Sequence, residues 1–186
     1  MKSKYLSNVL IRNAVMDEAA SISSVLYQSF VEFEPLYTIA AFAATAPSSN
    51  RVQNRWSEGP VWVAAEGSQI VGTVSAVPKP EGLYLRSMAV LPSHRGQKIG
   101  YILLQVAEHF ANIRNIRRMF LSTTPFLMGA IRLYEQFGFQ RTDEGPHELF
   151  GTPLFTMVML LETASLVYQD GTNFPVENRM GKANEE

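Results

Sequence analysis

The chain has 186 residues, enough for one domain with or without a tail, and its 46% hydrophobic and 11% aromatic residues exclude global disorder. A formal net charge of −1 excludes a polyelectrolyte surface for nucleic acid, and the absence of cysteine excludes disulfide frameworks, thiolate zinc sites and cysteine nucleophiles. Arg12, Asp17 and Glu18 interrupt any secretory pattern, and no window reaches the roughly 18 apolar residues that a membrane span requires. The expectation is a soluble, cytoplasmic protein with neither a membrane nor a nucleic-acid partner.

Residues 9–13 read as a first strand. Asp17 is placed to cap a helix whose apolar positions are Ala20, Val25, Leu26 and Phe30, and Pro35 ends it. Residues 36–56 are Ala-rich, interrupted at Pro47, and read as an irregular second helical region. The period then changes to that of strands: 61–66 and 69–77 form a hairpin across Gly67-Ser68, and 83–90 a further strand. Residues 97–113 are helical, with Ile99, Ile102, Leu103, Val106, Phe110 and Ile113 on one stripe. A strand at 117–122 follows, then a helix at 126–136 ended by Gly138, and strands at 139–143 and 154–161. The domain ends near 165, and 166–186 is expected to be a mobile tail. Val167, Tyr168 and Phe174 are the residues that would contradict this by packing on the domain or on a second subunit in a homodimer. The pattern gives an α/β or α+β domain with helices on a mixed sheet, the strands on either side of helix 97–113 lying parallel across a right-handed crossover.

The informative loop is Val90-Leu91-Pro92-Ser93-His94-Arg95-Gly96-Gln97-Lys98-Ile99-Gly100. A strand ends there and a long helix opens, so unpaired N–H groups and the positive end of a helix dipole meet. Arg95 and Lys98 add cationic side chains, and Gly96 and Gly100 lack the Cβ atoms that would hold a ligand off. The sum is a phosphate-binding turn. Neither a Gly-Lys-Ser/Thr loop nor the three-glycine dinucleotide fingerprint is present.

Val90-x-Pro92-x-x-Arg95-Gly96-x-x-Ile99-Gly100 resembles the acyl-CoA motif of the GNAT superfamily of N-acyltransferases, and Ala130-Ile131-Arg132-Leu133-Tyr134 through Gly138-Phe139 resembles its second motif. The resemblance implies an α/β (α+β) fold with a central mixed, mostly antiparallel sheet of about seven strands flanked by about four helices. It implies acetyl-CoA as acyl-donor cosubstrate and direct transfer of the acetyl group to a small-molecule or protein amine. By the same resemblance, Arg95, Gly96, Gln97, Lys98, Ile99, Gly100 and Tyr101 would hold the pyrophosphate, and Met88, Ala89 and Val90 would pair with the pantetheine arm. Tyr134 would protonate the departing thiolate. Phe30, Glu34 and Tyr84 are the candidates for the acceptor pocket, with Phe33 and Tyr37 as further walls and Glu32 as the alternative to Glu34 for attracting a cationic amine. The sequence departs from the family at Lys98, where glycine is frequent, and at Leu127, where asparagine is. Replacing Gly100 by glutamate is expected to block cofactor binding without unfolding.

Other residues take blander roles. His94 reads as a solvated loop residue, His109 as structural and His147 as a hairpin surface residue, so three scattered histidines suggest no metal. Arg114, Arg117 and Arg118 lie at a helix C-terminus, where cations are favourable anyway. No carboxylate falls beside Tyr84 and Arg86 to act as a base. A degenerate acyl-CoA-binding sensor or scaffold is the alternative that this leaves.

Overall fold

The computed structural model describes residues 8–162, so the tail expected over 166–186 and the domain end at 165 lie outside the described residues. Strand β1 is Val9–Asn13, and helix α1 is Ala19–Phe30. Two short helices follow, α2 (Ile39–Thr45) and α3 (Ser49–Asn54), where the sequence suggests one irregular region. Strands β2 (Val61–Glu66), β3 (Gln69–Lys79) and β4 (Gly82–Val90) form a meander. Helix α4 (Ile99–Ile113), β5 (Arg118–Thr123), α5 (Met128–Phe137) and β6 (Gln140–Thr142) come next. A minimal hairpin of β7 (Glu148–Leu149) and β8 (Thr152–Pro153) precedes β9 (Phe155–Leu160).

The seven-stranded sheet runs β1-β2-β3-β4-β5-β9-β6. Its pairings are antiparallel except that of β4 with β5, which α4 bridges as a crossover. This is the mixed, mostly antiparallel sheet that the two motifs imply. Helices α1 and α4 pack on its central strands β3 and β4. The core joins Ile22 and Leu26 of α1 to Val63, Val71, Leu83 and Leu85 of the sheet and Leu103 and Leu104 of α4. No helix among the described residues is long and apolar enough to cross a membrane.

Two local expectations are corrected. Asp17 does not cap α1; it lies in a 3-10 turn at Met16–Glu18, and the Glu18 carboxylate accepts from the Val15 N–H at 2.9 Å and pairs with Arg12 at 2.6 Å. The buried face of α4 is Ile99, Gly100, Leu103, Leu104, Ala107 and Ala111, while Ile113 is 65% exposed. Glycine and alanine let the helix backbone settle close to the sheet, which turns the larger Val106 and Phe110 to the flank, where Phe110 meets Trp62 edge-on at 5.6 Å.

Candidate active site

The site begins with a gap in the sheet. Strands β4 and β5 pair only from Leu83–Met119 to Leu85–Leu121, and beyond that β4 runs on beside β3 alone and β5 beside β9 alone. A bulge in β4 accompanies the divergence: three steps from Arg86 to Ala89 oppose two from Ser75 to Thr73. Ser87 occupies the left-handed region there, at φ 51°. Arg55 holds it, Nη1 donating to Ser87 Oγ at 2.8 Å while Nη2 donates to the Ala44 carbonyl at 3.2 Å. The Leu91 N–H donates to the Val71 carbonyl at 2.9 Å, so the alternation of an antiparallel ladder aims the Val90 N–H the other way, into the gap.

A cavity of about 820 Å³ opens from this gap. Met88, Ala89 and Val90 form one wall, and Lys98, Ile99, Gly100 and Tyr101 a second. Leu127, Gly129, Ala130, Leu133, Tyr134 and Gln136 form a third, and Ser29 and Phe30 at the end of α1, with Phe33 from the 3-10 segment after it, close it. Helix α4 makes its first hydrogen bond from the Ile102 N–H to the Lys98 carbonyl at 3.1 Å. The N–H groups of Gly100 and Tyr101 therefore lack helical acceptors at the cavity mouth, a geometry that suits an anion. Lys98 stands before them in the left-handed region, φ 62° and ψ 6°, which is the conformational reason a glycine would also fit.

The two glycines differ in role. A Cβ on Gly96 would meet nothing within 4 Å, and its φ of +76° is what the turn requires. A Cβ on Gly100 would lie 2.8 Å from Leu133 Cδ2 and 3.3 Å from Met88 Cε, so this glycine brings α4 against α5 and β4. Gln97 is exposed and is not among the residues lining the cavity. Arg95 lines it but is also tied across the mouth, to Glu32 at 2.6 Å and to the Ser29 carbonyl at 3.0 Å. His94 is no solvated loop residue: its side chain is 14% exposed, lines the cavity, and sits 3.2 Å from Glu66 and 2.8 Å from Ser93.

Tyr134 is 6% exposed, packs edge-on against Phe139 at 6.0 Å and lines the cavity opposite β4. Burial pushes its phenol well above the ordinary tyrosine range, and Tyr37 and Tyr84 add to the effect. The hydroxyl therefore stays protonated through the neutral range. Leu127 immediately precedes α5 with no side-chain cap, which is the place of the family's asparagine. Ser29 Oγ is buried without a protein partner on the same cavity, a polar position that a ligand group can satisfy. Nothing in the sequence around Ser29 signals this contribution. Together the open β4 edge, the α4 N-terminus and this orphaned hydroxyl fit a phosphate-and-amide ligand such as coenzyme A.

The acceptor candidates are dispersed. Phe30 lines the cavity, whereas Glu34 is exposed on the 3-10 segment after α1 and does not. Tyr84 lies outside the cavity lining, its ring tilted against Phe120 at 5.2 Å. Phe33 and Tyr37 both pack on Phe126, at 6.3 and 4.9 Å, and so brace the loop that leads into α5. The Thr38 N–H donates to Thr152 Oγ1 at 2.9 Å, and Thr38 Oγ1 donates to the Phe150 carbonyl at 2.8 Å, which stitches this wall to the β7–β8 hairpin. Among the described residues no group of three or more acidic or histidine side chains is placed to hold a metal. The arginines after α4 are occupied by packing: Arg114 stacks over Phe110, and Arg118 stacks over Phe120 and pairs with Glu144.

The profile of the Acetyltransferase (GNAT) family matches residues 26–139, which takes in the end of α1, the cavity and Tyr134. The chain belongs to this family. N-acetyltransferase 8B of Rattus norvegicus is 39% identical over 89 residues, 45% of this chain and 40% of the relative. The chain thus spans well under two thirds of the length of such curated relatives. The crystal structure of the paiA N-acetyltransferase from Thermoplasma acidophilum in complex with coenzyme A superposes with a TM-score of 0.69 at 18% identity, covering 82% of this chain and 98% of that one. A GNAT family acetyltransferase from Elizabethkingia anophelis with acetyl-CoA bound gives 0.59 at 18%, covering 84% of this chain and all of the other. At these identities the likeness concerns the fold.

Proposed function

We propose that this GNAT chain is an N-acetyltransferase that moves an acetyl group from acetyl-CoA to a primary amine by direct attack. The observation that carries the reading is the gap between β4 and β5, which brings a strand-edge N–H, a helix N-terminus and the buried Tyr134 hydroxyl onto one cavity. The turn at Gly96 to Tyr101 receives the pyrophosphate. The Met88–Val90 edge receives the pantetheine amides as an added strand would be received.

The Val90 N–H donates to the thioester oxygen as negative charge grows there. A lysine-like amine with pKa about 10.4 is neutral roughly once in 2,500 molecules at pH 7, a handicap of about 4.6 kcal/mol. Strand β4 itself offers no carboxylate beside Tyr84 and Arg86, and Glu58 is held by Arg86 at 2.8 Å, so a water molecule or an acceptor of lower pKa meets that cost. Tyr134 donates its proton to sulfur as the carbon–sulfur bond breaks. A free thiolate of pKa about 8.5 would not take it from a buried phenol, so proton transfer and bond cleavage occur together. The proton that the amine loses restores the phenol.

Thiol release from acetyl-CoA across a panel of amines tests the proposal. Turnover with at least one amine, and a raised melting temperature with acetyl-CoA or desulfo-coenzyme A, are the expected results. Stabilisation by ATP and not by acetyl-CoA would overturn it, and acetyl-CoA binding with no turnover on any amine would return the chain to a sensor or scaffold role.

A further inference from the structure

Ser29 is a polar residue where the fold asks for an apolar one. It stands on the buried face of α1 with Ala19, Ile22, Val25 and Leu26, and is 4% exposed. Its Oγ is buried without a hydrogen-bond partner. Other buried hydroxyls are used by the protein itself. Thr73 Oγ1 donates to the Trp62 carbonyl at 3.1 Å, Thr156 Oγ1 donates to the Gly145 carbonyl at 3.2 Å, and Thr152 Oγ1 accepts from the Thr38 N–H. An unpaired hydroxyl inside a protein costs stability, and alanine would occupy the same place without that cost. Packing alone gives no reason for a serine here.

The residue lies on the cavity. Among the described residues that line it, Ser29 is the one with a buried side-chain atom left unpaired. Arg95 fixes its place: Nη2 donates to the Ser29 carbonyl at 3.0 Å while Nη1 pairs with Glu32 at 2.6 Å. Ser29 is thereby tied to the phosphate-turn end of the cavity, and the Met88–Val90 edge lines the same space. In coenzyme A the unit next to the diphosphate is the pantoyl group, which carries one hydroxyl. The amides that follow are satisfied when they pair with a strand edge, whereas the pantoyl hydroxyl needs another partner once it is buried. One orphaned hydroxyl on the protein and one on the ligand thus fall at the same end of the cavity. A serine hydroxyl both donates and accepts, and it turns about χ1 without moving its helix.

We infer that the Ser29 hydroxyl hydrogen-bonds to the pantoyl hydroxyl of the acyl donor, so that α1 as well as β4 reads the pantetheine arm. This rests on the coenzyme A site of the acetyltransferase reading above. The bond gives the buried Ser29 oxygen the partner that the protein does not supply. It makes Ser29 a recognition residue for the acyl donor, away from the reacting atoms.

Calorimetric titration with coenzyme A, and with an analogue whose pantoyl hydroxyl is replaced by hydrogen, tests the inference. Wild type should bind coenzyme A about 3- to 10-fold more tightly than the analogue, the range for one neutral hydrogen bond. Ser29→Ala should weaken coenzyme A by the same factor and leave the analogue almost unchanged, so that the two bind alike. Its melting temperature without ligand should hold or rise, since an unpaired hydroxyl is removed. Equal binding of both ligands by wild type would overturn the inference, and so would a Ser29→Ala protein that keeps the wild-type preference. A lower melting temperature with both ligands weakened alike would overturn it too, by giving the hydroxyl a structural role. The expected binding pattern with no thiol released in the presence of any amine would refute the acetyltransferase reading and leave the Ser29 contact standing. Turnover with equal binding of the two ligands would do the reverse.

Discussion

At the scale of single residues, Tyr134 carries the sharpest expectation. Tyr134→Phe removes one hydroxyl from a ring that packs on Phe139, so the fold should persist. If the phenol protonates sulfur, kcat should fall by about 10²- to 10⁴-fold while acetyl-CoA affinity stays nearly constant. Equal turnover in both proteins, with chemistry rate-limiting, would make solvent the donor. The pH dependence has a definite sign. Burial raises the folded pKa above the unfolded value near 10, so the native state holds its proton more tightly and stability falls as pH rises past that value. Over that alkaline window wild type should lose up to about 1.4 kcal/mol per pH unit more than Tyr134→Phe, read as the difference in denaturant midpoints. Lys98 gives a second expectation. Its left-handed backbone costs a non-glycine residue about 1–2 kcal/mol, part of which glycine returns as unfolded-state entropy. Lys98→Gly should leave the melting temperature level or raise it, and should weaken coenzyme A binding through the lost charge. A clear drop in melting temperature would show that the side chain's own contacts outweigh the strain.

At the scale of elements, Gly100 shows what the sequence could and could not say. Its place in the motif marks it as a site residue, yet no pattern along the chain hints that Leu133 and Met88 lie against it. Gly100→Ala meets the flexible end of Leu133 and gains helix propensity, so its cost should stay within about 1–3 kcal/mol. Gly100→Glu buries a carboxylate among Leu133, Met88 and Val90, so it should lower the melting temperature as well as block the cofactor. Binding lost at unchanged melting temperature would favour the simpler expectation of a blocked but intact fold. The strands β1 and β2 and the ends of α4 and α5 were readable because alternation, a glycine turn and Gly138 mark them. The stripe of α4 was misjudged because the pattern counts large apolar residues, whereas Gly100, Ala107 and Ala111 sit on the buried face. The turn at Gly96–Gly100 and Tyr134 were legible because two motifs fell in order on one chain. Ser29, Arg55 and Glu58 were not, since each reaches its place only through tertiary packing: Ser29 lies near the end of α1, and Arg55 and Glu58 bound the 3-10 turn that follows α3.

At the scale of the whole molecule, the sheet is two parts held by a short seam. Strands β1 to β4 form one part and β5, β9 and β6 the other, and their ladder contact is the three pairs from Leu83–Met119 to Leu85–Leu121. A ligand seated in the gap touches β4 on one side and α5 on the other, so it lengthens the seam that the backbone leaves short. Acetyl-CoA at about 100 times its Kd should add roughly 2.7 kcal/mol of stability, which for a chain of this size raises the melting temperature by about 5–11 °C. A rise of that kind alone would not say where the ligand binds. Amide hydrogen exchange does: protection should increase at Val90, whose N–H points into the gap, and at Gly100 and Tyr101, whose N–H groups have no helical acceptor. Leu91, already bonded to the Val71 carbonyl, should change much less. If acetyl-CoA raised the melting temperature while Val90 exchanged as fast as before, the gap between β4 and β5 would not be its seat, and the mechanism that depends on Val90 would fall with it.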